Sequence, residues 1–178
     1  MLLTISGLPG SGTTTVSKLL SEYYNVDLVS AGEVFRKLAN EYNMTLEEFG
    51  NLAESDPSID LKIDQRQHEI ASQKNNCILE GRLAGYMAET DNVVKVWLKA
   101  PLDIRVKRLM DREGGIFDDV FESTKKREAS EDVRYKEIHG IDLGDLSIYD
   151  IVLDTSRWNQ NQIEDIIKVS IDVLGGFS

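Results

Sequence analysis

The stretch Gly7-Leu-Pro-Gly-Ser-Gly-Thr-Thr-Thr15 decides the fold of this 178-residue chain. An apolar run, Leu2–Ser6, precedes it and predicts a buried strand, and Val16-Ser-Lys-Leu-Leu20 follows it with the apolar spacing of a helix. Backbone N–H groups and the positive end of a helix hold phosphate anions when no side chain stands in the way. The three glycines of the stretch leave that room. Strand, glycine loop and helix together predict a phosphate-binding loop.

The loop follows the pattern G-x-x-x-x-G-K-S/T at every position except one. Thr14 holds the place of the hydroxyl that ligates Mg²⁺ beside the terminal phosphates of ATP, so we expect it to bind the metal. Thr13 stands where the pattern has lysine, and its neutral hydroxyl cannot supply the missing charge. Lys18 is one candidate replacement, although its place more than a turn into the helix favours a solvent-facing side chain. The alternative reading is a glycine-rich turn before a helix, with no ligand.

The remaining apolar runs alternate with helical patterns, which predicts βαβ units. The further strands are expected at Asp27–Val29, Asn76–Leu79, Val93–Leu98 and Tyr149–Leu153. We therefore predict an α/β fold: a five-stranded parallel sheet with helices on both faces and insertions that serve a site. The stretches Gly32–Lys74 and Leu102–His139 are those insertions, because they are long, helix-rich and charged and show no strand pattern.

Local signals place several helix ends. Thr45-Leu-Glu-Glu48 has the form of a capping box and predicts a helix start, and Asp56-Pro57 predicts an interruption. Asn159 is expected to cap the last helix, and Gly175-Gly176 to end it.

The charge balance limits the possible partners. Twenty Lys and Arg face 31 Asp and Glu, a net charge of −11, so general attraction to nucleic acid or anionic lipid is not expected. No apolar run is long enough to cross a bilayer, and the amino terminus does not resemble a signal peptide. The single cysteine, Cys77, is predicted to be a buried strand residue. We expect one cytoplasmic, monomeric domain with small-molecule partners, no nucleic acid and no membrane.

Arginines supply the positive charge that the loop lacks. Arg105, Arg108 and Arg112 share one stripe of a predicted helix, and Arg127 and Arg134 repeat the seven-residue spacing. Around Gly114-Gly115 they suggest a mobile basic flap over polyphosphate. The alternative is a solvated helix face on which these arginines pair with Asp111, Glu113, Glu128 and Glu131.

A second anion site is predicted where strands end. Arg36 follows the second predicted strand and Arg82 the third, and ligands of open α/β sheets bind beyond such strand ends. A monophosphate is the natural ligand. Glu80 is expected to hold Mg²⁺ through water or to orient Arg82; the alternative is a carboxylate satisfied by backbone N–H groups. His68 and His139 are read as surface residues.

In order and in register, these motifs resemble the nucleoside monophosphate kinase family, most closely the archaeal type of cytidylate kinase. The resemblance covers nearly the whole chain. It is carried by the lysine-less loop and by Ser30-Ala-Gly-Glu-Val-Phe-Arg36, Asp56-Pro-Ser-Ile-Asp60, Asp64-Gln-Arg-Gln67, Leu79-Glu-Gly-Arg-Leu-Ala-Gly85, Arg134-Tyr-Lys-Glu-Ile-His-Gly-Ile-Asp142, Ser147-Ile-Tyr-Asp150 and Asp154-Thr-Ser-Arg-Trp158.

The resemblance implies transfer of the γ-phosphate of ATP, with Mg²⁺, to CMP or dCMP. It implies a P-loop kinase fold, with a core (1–31, 75–110, 135–178), a monophosphate-binding insertion (32–74) and a lid (111–134). The residues expected to hold ATP are Gly7, Leu8, Pro9, Gly10, Ser11, Gly12, Thr13, Thr14 and Thr15, and those expected to bind the metal are Thr14 and Glu80. The lid arginines expected to be catalytic are Arg108, Arg112, Arg127 and Arg134; the acceptor is expected to contact Ser30, Gly32, Arg36, Asp64, Arg66 and Arg82.

Two departures from the bacterial cytidylate kinase pattern bear on the base: Ala31 replaces Ser, and Leu83 replaces Asp. A cytosine edge needs both an acceptor and a donor, so Asp64, Arg66 and Gln67 are the candidates to read it. Thr155, Arg157 or Trp158 are expected near adenine; Trp158 equally fits a helix-start staple on Ile163.

The rival functions are a related kinase acting on AMP, UMP or shikimate, and a nucleotide-binding regulator without transfer activity.

Overall fold

A computed structural model describes residues 1–73, 76–88 and 90–177 of the chain. Its strands are β1 (Leu2–Gly7), β2 (Asp27–Ser30), β3 (Cys77–Glu80), β4 (Val93–Lys99) and β5 (Ile151–Asp154). They form one sheet in the order β2-β3-β1-β4-β5, and every neighbouring pair is parallel. The predicted five-stranded parallel sheet is therefore confirmed, with strand ends one or two residues from the expected ones.

Eight helices connect and flank these strands in the described part of the chain. They are α1 (Thr13–Tyr24), α2 (Ala31–Glu41), α3 (Leu46–Ser55), α4 (Pro57–Gln73), α5 (Ala84–Met87), α6 (Leu102–Glu113), α7 (Phe117–His139) and α8 (Gln160–Val173). The capping box at Thr45, the break between α3 and α4 at Asp56, and the Asn159 cap of α8 are confirmed. Their side chains occupy backbone groups that the helix itself leaves unpaired.

The side chains of β1 alternate between two faces of the sheet, as the geometry of a strand requires. Leu3 and Ile5 are fully buried with residues of α1 and α8, among them Val16 and Ile167. Leu2 packs on the opposite side, in a cluster that contains Cys77, Leu79, Ala84 and Ala88. Helices on both faces cover the sheet, which confirms the predicted fold class. Cys77 is buried in β3, as predicted.

Helices α2, α3 and α4 lie between β2 and β3, in the stretch predicted as the monophosphate-binding insertion. They enclose an apolar cluster of their own around Phe49 and Ile59. A separate cluster allows these helices to shift relative to the sheet without disrupting the main core. The predicted end of the insertion, Lys74, lies outside the described residues.

Helices α6 and α7 form a hairpin through Gly114, Gly115 and Ile116. α7 is one continuous helix of 23 residues, so the predicted lid boundary at residue 134 falls inside it. Its first half carries Arg127, and its second half runs back to the sheet. No helix among the described residues is long and apolar enough to cross a membrane.

Candidate active site

A cleft of about 1450 Å³ opens at the carboxyl ends of β1, β2 and β3. Its walls come from the glycine loop, from α2, α3 and α4, from α6 and α7, and from the start of α8. Ligands of open parallel sheets bind at this edge because the loops and helix N-termini that follow the strands converge there. The predicted site residues that line the cleft are Gly7, Leu8, Pro9, Gly10, Ser11, Gly12, Thr13, Thr14, Thr15, Ser30, Gly32, Arg36, Asp64, Glu80, Arg82, Arg108, Arg112, Arg127 and Arg134.

Two glycines of the loop have backbone conformations that residues with a side chain rarely adopt. Gly10 has φ 80°, and a Cβ at this position would stand 2.5 Å from the Arg105 carbonyl oxygen. Gly12 begins α1 with φ 101°, and a Cβ there would meet nothing within 4 Å. Gly12 is the N-cap of α1 and has no side chain that could accept a hydrogen bond from the first N–H groups of the helix. These N–H groups therefore face the cleft without a capping side chain. This arrangement fits a polyphosphate.

Glu80 is the centre of the loop's polar contacts. Its Oε1 accepts a hydrogen bond from Thr13 Oγ1 at 2.7 Å and from Thr14 Oγ1 at 3.2 Å, and its Oε2 accepts one from Ser30 Oγ at 2.5 Å. Thus the last residue of β3 joins the loop to the start of α2. Glu80 does not form an ion pair with Arg82 in this structure, since Arg82 contacts a different carboxylate.

A hydroxyl and one carboxylate are a donor set that suits Mg²⁺, which binds through one or two protein oxygens and completes its shell with phosphates and water. Thr14 and Glu80 offer these oxygens at the mouth of the loop. The described residues contain no cluster of three or more His, Cys, Asp or Glu side chains placed to cage a metal. The site therefore fits a metal that arrives with a nucleotide.

Arg108 lines the cleft and also contacts the glycine loop and the end of β5. Its guanidinium donates to the Thr155 carbonyl oxygen at 2.7 Å, to Thr155 Oγ1 at 2.9 Å and to the Gly10 carbonyl oxygen at 3.3 Å. These contacts fasten the loop to the end of β5; the predicted role of Arg108 at the transferring phosphoryl stays a prediction. Thr155 is fully buried in this contact and does not line the cleft, so its expected contact with adenine is corrected.

Arg105 contacts the same loop and is itself buried. Its side chain is 6% exposed, pairs with Glu128 of α7 and donates to the Pro9 carbonyl oxygen at 3.0 Å. The paired-arginine alternative is thus correct for Arg105. Because α6 follows β4 directly, Arg105 and Arg108, one turn apart on α6, both reach carbonyl oxygens of the loop; Arg108 lines the cleft and Arg105 does not.

Glu131 organises the arginines on the far side of the cleft. Arg82, at the end of β3, forms an ion pair with Glu131, and Arg127 Nε donates to the other oxygen of this carboxylate at 2.9 Å. Burial alone would raise the pKa of Glu131, but the charges of Arg82 and Arg127 hold that pKa below its ordinary value. Glu131 is buried at the wall of the cleft, so two guanidinium groups are assembled there before any ligand binds.

The carboxyl-terminal half of α7 is tied to α4 by two pairs. Arg134 Nε donates to Asp60 Oδ2 at 2.8 Å, and His139 Nε2 lies 2.8 Å from Asp64 Oδ2. The predicted surface position of His139 is therefore wrong: its side chain is only 15% exposed. His68, by contrast, is exposed, as predicted. Asp60 and Asp64, one turn apart, face the cleft together because i and i+4 share a helix face.

Arg66, one of the residues expected to contact the acceptor, does not line the cleft. Two positions after Asp64 on α4, it points about 200° around the helix, and its side chain is 62% exposed beside Glu69. Gln67 takes the cleft position instead. Its amide nitrogen donates to the Glu80 carbonyl oxygen at 2.9 Å, which ties α4 to β3.

Other predicted residues remain open to the cleft. Arg36 is exposed, and among the described residues it has no ion pair. Arg112 is also exposed and pairs only with the adjacent Glu113. Trp158 lines the cleft and is 43% exposed, whereas Arg157 does not line it. Lys18 faces solvent beside Glu33, so it does not replace the loop lysine.

The sequence analysis named Glu131 only as a partner in surface pairs, of which the Arg127–Glu131 pair is present, and it gave Asp60 no role in organising the site. Glu131 lies four residues after Arg127 and Asp60 four residues before Asp64, and these spacings are the signals in the sequence. Neither spacing reveals a partner on another element, so the contacts of Glu131 with Arg82 and of Asp60 with Arg134 required the tertiary structure.

The glycine loop, the parallel sheet and the arginine-lined cleft place this chain in the class of P-loop kinases. The fold is similar to that of a solved shikimate kinase from Bacteroides thetaiotaomicron, with a TM-score of 0.61 at 17% identity over 98% of each chain. It is also similar to an uncharacterized protein from Eubacterium ventriosum, with a TM-score of 0.74 at 23% identity over 97% of this chain and 98% of that one.

The model of the Cytidylate kinase-like family matches residues 2–157, so the chain belongs to that family. Among curated proteins it is similar to a cytidylate kinase of Methanococcoides burtonii, with 63% identity over 99% of this chain and 100% of the relative.

Proposed function

We propose that this chain is a cytidylate kinase that transfers the γ-phosphate of ATP to CMP or dCMP, giving ADP and CDP or dCDP. The observation that carries the proposal is that one cleft is lined by two groups of residues suited to anions: the glycine loop on one side, and Arg36 with the Arg82 cluster on the other. A donor polyphosphate and an acceptor monophosphate are the pair of ligands that such a cleft suits. The high identity to a cytidylate kinase over full length supports the choice of acceptor.

The donor binds along the loop. Backbone N–H groups from Gly10 to Thr14 surround the β- and γ-phosphates, and Arg105 and Arg108 keep the loop in place through their contacts with its carbonyl oxygens. Thr14 and Glu80 would hold Mg²⁺, with Glu80 acting through water, and the metal would neutralise charge on the phosphate oxygens. Trp158 lines the cleft at the start of α8 and is the residue proposed to contact the adenosine of ATP.

The acceptor binds on the insertion side. Arg36 and Arg82 hold its phosphate, and an oxygen of that phosphate attacks the γ-phosphorus of ATP in line with the leaving ADP oxygen. Such transfers depend on positioning and charge stabilisation, because the protein takes part in no covalent bond. Closure of the α6–α7 hairpin brings Arg112 and Arg127 to the transferring group and excludes water, which would otherwise hydrolyse ATP.

A regulator without transfer activity is the main rival, because the loop has no lysine. The arrangement of Arg82, Arg127 and Glu131 favours the kinase: a nucleotide switch has no need for a second site with guanidinium groups already assembled. Thr13 itself has a defined role in holding Glu80.

A coupled ADP-release assay with Mg·ATP tests the proposal. The acceptors are CMP, dCMP, UMP, AMP, GMP and shikimate, with ATP alone as the control. We expect turnover on CMP and dCMP far above the rate without acceptor. Equal ADP release with and without every acceptor, in a chain that still binds ATP, would refute the kinase function; preference for AMP or shikimate would refute the choice of acceptor.

A further inference from the structure

The pair formed by Asp64 and His139 joins two elements that are far apart in the chain. Asp64 belongs to α4, and His139 is the last residue of α7, 75 positions later. Both side chains are largely buried, with 12% and 15% exposed. Yet only Asp64 lines the cleft; His139 lies behind it and does not. His139 therefore acts on a ligand only through Asp64.

The two carboxylate oxygens of Asp64 have different surroundings: one contacts another side chain of the protein, and the other is free for a ligand in the cleft. His139 Nε2 contacts Oδ2, and no described residue donates to Oδ1. Gln67 lies on the same face of α4, but its amide nitrogen is occupied by the Glu80 carbonyl oxygen. Asp64 Oδ1 is therefore a polar atom of this wall, alongside the Gln67 side-chain oxygen, that is available to a base.

We propose that His139 is a specificity-determining positioning residue: by contacting Asp64 it keeps this carboxylate oriented and ionised, so that the acceptor site selects cytosine over uracil. This inference rests on the proposed function. Cytosine presents an exocyclic amine that donates to a carboxylate oxygen, whereas uracil presents a carbonyl oxygen at the same place, which an ionised carboxylate repels. A protonated carboxyl donates to that carbonyl oxygen, so the protonation state of Asp64 decides which base is accepted.

The environment of Asp64 makes its protonation state sensitive to His139. Burial raises the pKa of Asp64, the charge and hydrogen bond of His139 lower it, and the negative charge of Asp60 raises it, which together place this pKa at about 6. Asp60 is itself paired with Arg134, and the half-buried phenol of Tyr135 also faces Asp64. Without His139 the pKa of Asp64 is expected to move upward, into the neutral range where the enzyme works.

The test is the ratio of kcat/KM for CMP to that for UMP, measured from pH 5.5 to 8.5. For the wild type we expect a ratio that is high at pH 8 and falls toward pH 6, as Asp64 takes up a proton. In His139→Ala, the fall is expected to begin at a higher pH, and the ratio at pH 7 to drop by about tenfold. His139→Gln keeps a hydrogen-bond donor without the charge, and an intermediate profile is expected.

Two further variants test whether the change in the CMP-to-UMP ratio depends on the Asp64 carboxylate and on this particular histidine. Asp64→Asn cannot ionise, and its ratio is expected to be low and independent of pH. His68→Ala removes an exposed histidine of α4 that contacts only the Met87 carbonyl oxygen, and it should keep the wild-type profile. Circular dichroism confirms that each variant is folded.

The outcomes separate the inference from the function on which it rests. If folded His139→Ala and His139→Gln both keep the wild-type ratio and pH profile, His139 does not determine specificity and the inference is wrong. A pH-dependent ratio in Asp64→Asn also refutes it. If the wild type phosphorylates neither CMP nor UMP, the proposed function fails, and the inference falls with it.

Discussion

Thr13 Oγ1 donates a hydrogen bond of 2.7 Å to Glu80 Oε1, at the loop position where the common phosphate-loop pattern has lysine. The common pattern places a lysine here, whose positive charge contacts phosphate. In this chain the Thr13 hydroxyl stands at that position and holds the Glu80 carboxylate in place. The charge itself must come from across the cleft, where Arg82 and Arg127 gather around Glu131.

Removing the Thr13 hydroxyl tests this anchor. Thr13→Val keeps the shape of the side chain but cannot donate to Glu80, so the carboxylate loses one of its three hydroxyl partners. We expect KM for Mg·ATP to rise roughly tenfold, because the groups beside the metal lose their orientation. Thr13→Ser keeps the donor and is expected to stay within about twofold of wild type. Equal KM values for both variants would show that the hydrogen bond has no role.

The lid arginines should affect catalysis much more than folding. Arg112 and Arg127 each have 60% of the side chain exposed. The Arg112–Glu113 pair lies at the surface and contributes little to stability, and in Arg127→Ala the buried Glu131 keeps Arg82 as its partner. We expect Arg127→Ala and Arg112→Ala to lower kcat by roughly 100- to 1000-fold with an unchanged melting temperature. Arg66→Ala, an exposed arginine outside the cleft, is the matched control and should retain wild-type kcat. A lid variant with normal kcat would remove that arginine from the mechanism.

Substitutions of Arg105 and Arg108 are expected to affect different properties: the first lowers the stability of the fold, and the second weakens ATP binding. Arg105→Ala leaves the Glu128 carboxylate without its partner, and breaking a buried pair costs about 3–5 kcal/mol, measured as the free energy of unfolding in urea. Arg108→Ala frees the loop from Thr155, so its main effect should be a higher KM for ATP, with KM for CMP nearly unchanged. An Arg108→Ala variant that raises both KM values equally would contradict a role confined to the loop.

Acid should weaken the fold through Glu131. The folded-state pKa of this carboxyl lies below its ordinary value of 4.5, so the unfolded chain binds more protons near that pH. Its stabilising contribution is complete above about pH 4.5 and is lost as pH falls through the folded-state pKa.

Urea unfolding between pH 7 and pH 3 measures this contribution. Glu131→Gln is expected to be less stable at pH 7 and to lose less stability on acidification than wild type. Glu122→Gln, an exposed residue of the same helix, is the control and should follow the wild-type curve. Parallel curves for Glu131→Gln and wild type would show that this charge is not linked to folding.

Local patterns were sufficient for much of the fold and for gathering most of the candidate site residues around one cleft. The apolar run before Gly7 and the glycine spacing predicted β1, the loop and α1, and the capping residues Thr45 and Asn159 predicted two helix starts. The prediction for His139 failed. Expected at the surface, His139 turned to Asp64, because burying a polar group requires a hydrogen-bonding partner that only the packed chain supplies.

By itself the sequence determined the class of this protein, because the phosphate loop, the strand periodicity and the arginine spacing are local properties written in consecutive residues. Only the tertiary structure decided which charged side chains meet: Glu131 with Arg82, Asp60 with Arg134, and Asp64 with His139. These pairs join residues 49 to 75 positions apart. Their formation depends on how helices pack over the sheet, and a side chain's spacing along its own helix carries no information about the element that it faces.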